Sequence, residues 1–191
     1  MKLTKSAMFA LSVFTLFGFS GIAYFILSFS DSVQYFEMFA YENLWLSIPA
    51  GLGFGTLAAF IGILLLKLPS LKDTSTFYAN FFKSLNLHWT DILFYSFCAG
   101  VGEEILFRGA LQPLLGLWLA AVIFVILHGY LSFEDWKKSL YGIYLIFISA
   151  GFGYLVVDFD IYAAMAAHFI FDVIMFFKIR KDSESLVSET D

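Results

Sequence analysis

The chain has 191 residues, of which 60% are hydrophobic and only 14% charged, with a mean hydropathy of +0.82. A soluble domain carries about 25% charged residues, so this composition excludes one and points to an integral membrane protein whose first partner is the lipid bilayer. The net charge of -5 forms no basic face for nucleic acid, and the single cysteine, Cys98, cannot form an internal disulfide.

Six apolar segments follow one another, and together they predict an all-α fold, a polytopic bundle of about six transmembrane helices. The first, residues 7–27, follows Lys2 and Lys5. It is long for a signal peptide and lacks a small-residue cleavage site, so it reads as a spanning helix. Residues 31–43 are acidic and aromatic, which suits an interfacial loop. The second span, residues 44–66, contains Gly51, Gly53 and Gly55, which let another helix approach closely. Residues 67–90 are more polar. There Phe77, Tyr78, Phe81, Phe82 and Leu85 recur at helical spacing, which predicts an amphipathic helix in the interface plane. His88 reads as a surface histidine.

The third span starts near Asp91, a candidate N-cap, and is expected to end at Pro113 and Gly116. A short fourth span covers residues 117–130, and residues 132–138 form a charged turn. The fifth span covers residues 140–157. Asp158 and Asp160 make an acidic turn before the sixth, residues 161–177. Residues 1–177 therefore form one membrane-embedded domain, with its polar motifs in 91–177. Residues 178–191 are expected to be a disordered cytoplasmic tail.

The loop charges test this count. One side collects Lys2, Lys5, Lys67, Lys72, Lys83, Lys137 and Lys138, with Lys178, Arg180 and Lys181 in the tail; the other holds Asp31, Glu37, Glu42, Asp158 and Asp160. The positive-inside rule then puts both termini in the cytoplasm. The small size suits a bacterial inner-membrane protein.

Within the third span lie Glu103, Glu104 and Arg108. Each ionised group costs about 2.5–3.5 kcal/mol at the bilayer centre, so their presence needs a reason. On a helix Glu104 and Arg108 share a face and can pair, whereas Glu103 points about 100° away. A polar network that merely locks helices together is the bland reading. Against it, His128, His168 and Asp172 fall at nearly the same depth. By helical rise, Glu103, His128 and Asp172 are each about 18 Å from a helix end and His168 about 12 Å, near the middle of a core about 30 Å thick. A glutamate, two imidazoles and a second carboxyl at one depth can activate a water, the carboxylate acting as general base and the others stabilising an oxyanion.

These residues also carry a resemblance. Glu103 and Glu104 followed by Arg108, then Phe124 and His128, then His168 and Asp172, resemble the three motifs of the CAAX prenyl protease and bacteriocin-processing (Abi) family, in order and each on its own helix. The resemblance implies an intramembrane endopeptidase acting on a membrane-associated or lipidated protein or peptide. It implies that Glu103 is the base and His128 its partner, that His168 and Asp172 complete the water and oxyanion site, and that Glu104, Arg108 and Phe124 support them. Asn is common where this chain has Asp172, which can donate to an oxyanion only when protonated. The expected reaction is metal-free. If a metal is used, Glu103, His128, His168 and Asp172 would satisfy zinc. Two other functions are compatible with the composition: a non-catalytic family member acting as a bacteriocin immunity or membrane binding protein, and a small proton-coupled transporter, although no internal repeat of the kind common in transporters is visible.

Overall fold

A computed structural model describes residues 4–30, 34–72, 74, 76, 80, 85–131 and 136–188, the side chains of 138 and 185–188 excepted. Among the described residues it is helical throughout: α1 (Lys5–Leu27), α2 (Leu44–Leu66), α3 (Trp89–Glu104), a π-helical segment (Ile105–Leu111), α4 (Gln112–Leu115), α5 (Leu117–Leu127), α6 (Trp136–Asp158) and α7 (Ile161–Ser188), with 3₁₀ turns at Tyr35–Phe39 and Pro69–Leu71. The all-α membrane bundle expected from the sequence is the fold observed.

Among the described residues, four helices are long and apolar enough to cross a membrane: α1, α2, α6 and α7. The third expected span corresponds to the run from Trp89 to Leu115, in which α3 passes through the π segment into α4 without leaving helical conformation. It breaks at Gly116, where φ is 85°, while Pro113 sits inside α4. The fourth segment differs most from expectation. At 11 residues α5 rises about 16 Å, half the thickness of a hydrocarbon core, and Gly129 at φ 68° turns the chain away just beyond it.

Several boundaries also move. His88, not Asp91, caps α3; Asp91 lies in its first turn and accepts the His88 backbone N–H at 2.8 Å. Trp136 and Lys137, expected in a turn, already belong to α6. Helix α7 continues past Phe177 to Ser188, where the sequence reading has a disordered tail, because Arg180–Glu184 and Lys178–Asp182 pair at helical spacing. The interfacial helix expected around Phe77, Tyr78, Phe81 and Phe82 lies outside the described residues.

Helix α7 is the hub, packed against α2, α3 and α6. A Cβ on Gly51 or Gly55 would lie 2.1 Å from the carbonyl oxygen of Ala163 or Ala167, so the backbones of α2 and α7 touch. Gly53 has nothing within 4 Å of that position and faces away. At one end of this contact the Ser47 hydroxyl donates to Asp160 Oδ2 at 2.6 Å, and Asp160 Oδ1 accepts the Ala163 N–H at 3.1 Å. Asp160 is thus a buried N-terminal anchor for α7 rather than an exposed turn residue.

Two observations fix which helix ends lie together. Lys5 Nζ pairs with Asp91 Oδ2 at 2.5 Å, and Met8 and Phe176 pack on the cluster of Leu85, Leu87, Ile92 and Tyr95. The start of α1, the start of α3 and the later part of α7 therefore share one end of the bundle. At the other end the Tyr162 hydroxyl donates to Phe39 O at 3.2 Å.

Candidate active site

The site is built where α3, α5, α6 and α7 meet. Helix α3 ends on Glu103 and Glu104, and the π segment begins one residue later. Such widened turns recur at functional sites because they re-aim side chains. Nothing in the local sequence signals this one.

Glu104 is completely buried, and both its oxygens have a basic neighbour. Oε2 faces Arg108 Nε at 3.1 Å, and Oε1 lies 2.7 Å from His168 Nδ1. A carboxylate can only accept, so His168 Nδ1 carries the proton. The Arg108 guanidinium also donates from Nη2 to both the carbonyl and the hydroxyl of Ser149, each at 2.8 Å. It lies 5.0 Å from the Phe124 ring centre and 5.6 Å from that of Phe152, within range of cation–π attraction to both.

Glu103 faces elsewhere. Its Oε2 lies 3.4 Å from His128 Nε2 and 3.8 Å from His168 Nε2, and it has no direct hydrogen-bond partner among the described residues. His128 Nδ1 donates to Phe124 O at 2.7 Å, an acceptor-only partner that fixes the tautomer as Glu104 does for His168. Each imidazole is therefore held by Nδ1 and presents Nε2 to the same glutamate oxygen. Asp172 joins from the next turn of α7, its Oδ2 3.7 Å from His168 Nε2. Aromatic rings fix the planes of the imidazoles: Phe124 stacks on His128 at 4.3 Å and Phe152 on His168 at 5.3 Å.

All four residues expected to form the reacting centre thus converge, and the three expected to support them surround it. The sequence reading missed Ser149 and Phe152. Both lie in α6 beside Gly151 and Gly153, whose small size was the only signal that another element approaches there. It also gave Glu104 a bracing role alone, whereas Glu104 additionally orients His168.

A cleft of ≈ 270 Å³ opens onto Glu103, His128, His168 and Asp172. As donors, two imidazoles and two carboxylates suit zinc. Among the described residues, however, no group of three or more His, Cys, Asp or Glu side chains is placed to hold a metal ion.

Comparison with known proteins bears on the same segment. Residues 85–174 match the family described as Type II CAAX prenyl endopeptidase Rce1-like. This bears out the family resemblance carried by the three motifs, and the match takes in Glu103, His128, His168 and Asp172 together. A Bacillus subtilis (strain 168) protein, uncharacterized protein YpbD, is 37% identical over 91 residues, 47% of this chain and 46% of that protein. The matched stretch spans a little under half the length of that relative. No match was found among solved structures.

Proposed function

We propose that this chain is an intramembrane endopeptidase that hydrolyses a peptide bond of a membrane-associated or lipidated protein or peptide, using a water activated by Glu103. The observation that carries this reading is the buried Glu103 Oε2, which faces the Nε2 atoms of two imidazoles whose Nδ1 atoms are already committed. The Rce1-like match over residues 85–174 supports the reaction class.

In this mechanism a water bridges Glu103 Oε2 and His128 Nε2 from the cleft side, in reach of both. Glu103 takes one proton as the water oxygen bonds to the scissile carbonyl carbon. The carbonyl oxygen becomes an oxyanion, which accepts a hydrogen bond from a protonated imidazole or from Asp172 in its protonated form. As the C–N bond breaks, the proton held by Glu103 passes to the leaving amine, and the base is regenerated. Glu104 and Arg108 take no part in bond making. They hold His168 and the π segment in place.

The lysine distribution, together with the shared end of α1 and late α7, supports an orientation with both termini in the cytoplasm of a bacterial cell membrane. Cleavage of quenched peptides by the purified protein in detergent tests the function directly. Hydrolysis that Glu103→Gln abolishes is expected, and wild-type protein that binds but never cuts would favour the non-catalytic reading instead.

A further inference from the structure

The cleft is not made by the Rce1-like segment alone. Helix α1, which lies before that segment, contributes Met8, Leu11, Ser12 and Thr15 to its lining, beside Tyr95 and Ala99 of α3 and with Phe171 of α7. Positions 8, 12 and 15 fall on one face of a helix, so α1 offers the cleft a single continuous wall. That wall is fixed relative to the base. A Cβ on Gly102 would lie 2.1 Å from the Thr15 carbonyl oxygen, so α1 touches α3 backbone to backbone one residue before Glu103.

The chemistry of the wall indicates what it contacts. The Ser12 hydroxyl donates to Met8 O at 2.9 Å and the Thr15 hydroxyl to Leu11 O at 3.0 Å. Both donors are spent on their own helix, so this face offers an occupant no free hydroxyl donor and mainly shape and apolar surface. Ser12 is buried and small, and it shares the lining with the equally small Ala99. A volume of ≈ 270 Å³ is just below the range of about 300–1,000 Å³ typical of small-molecule pockets. It suits a peptide unit with one large side chain.

From this we infer that α1 is the specificity wall of the peptidase, and that Ser12 makes room for a bulky apolar side chain on the substrate residue next to the scissile bond. The inference rests on the peptidase reading above. It assigns the choice of substrate to a helix outside the segment that carries the catalytic motifs.

The test uses full-length protein in detergent and three quenched peptides that differ only in carrying Ala, Leu or Phe beside the cleaved bond. Wild type should prefer Leu and Phe. Ser12→Leu should lower kcat/KM for the Leu and Phe peptides about tenfold or more relative to the Ala peptide, the scale on which apolar pockets discriminate. Met8→Ala, which removes bulk from the same face, should shift the ratio towards Phe and keeps the test open if Ser12→Leu folds poorly. Phe17→Ala, on an exposed position of α1, should leave the ratio at its wild-type value. Equal losses on all three peptides, or unchanged ratios in both cleft variants, would overturn the inference while leaving the peptidase standing. A wild-type protein that cuts none of the peptides, or any other, would remove both.

Discussion

The carboxylate of Glu104 accepts a hydrogen bond from His168 Nδ1 at 2.7 Å, tying the end of α3 to the middle of α7. Because the other Glu104 oxygen pairs with Arg108, one buried residue holds both the end of α3 and the His168 imidazole. Two adjacent glutamates thereby have different surroundings. Both Glu104 oxygens face basic partners, whereas Glu103 Oε2 has no direct hydrogen-bond partner among the described residues.

Truncating either member of the Glu104–Arg108 pair should therefore be costly. Removing one partner strands a buried charge, typically at about 3–5 kcal/mol, and loss of Glu104 also releases His168. Glu104→Ala and Arg108→Ala are expected to lower both the melting temperature in detergent and the yield of folded protein, with activity falling as a consequence. Wild-type melting of either variant would show that the pair does not support the site.

Asp172 distinguishes a protonated donor from a ligand. If its hydrogen-bonding role is the one that matters, Asp172→Asn should keep much of the cleavage activity, and chelators should change little. A metal ligand would behave otherwise: the Asn variant would bind metal weakly, and chelation would stop turnover. Activity lost to chelator and restored by zinc would contradict the metal-free mechanism.

The orientation can be read by labelling. The only native thiol, Cys98, is fully buried and should give no background. In intact cells a membrane-impermeant maleimide should fail to reach Lys72→Cys and Lys181→Cys and should reach Glu42→Cys. The opposite pattern would invert the proposed topology.

What the sequence could reveal follows from the physics of each feature. Apolar length and lysine segregation are strong global signals, so the bundle and most helix positions were legible. The polar residues were legible because charge inside an apolar helix is rare and demands partners. Packing between distant segments was not. Ser149 and Phe152 look like ordinary residues of a spanning helix, and only the fold brings them against Arg108 and His168. Helix α5 misled for a related reason. Its apolar run reads as a span, but the chain turns at Gly129 just beyond it, and the bond to Phe124 O holds His128 facing Glu103. Asp160 reads only as part of an acidic turn, because its burial depends on Ser47, 113 residues away.

The central claim is that Glu103 is the base and Glu104 its structural neighbour. Paired measurement of melting temperature and peptide cleavage for Glu103→Gln tests it most directly. Gln keeps the size and polarity of the side chain and removes only the capacity to take a proton. Melting close to wild type with cleavage reduced by about 10²–10⁴, the usual worth of a general base, is the predicted result. An active Glu103→Gln beside a stable but inactive Glu104→Gln would reverse the assignment, and full activity in both would contradict the account.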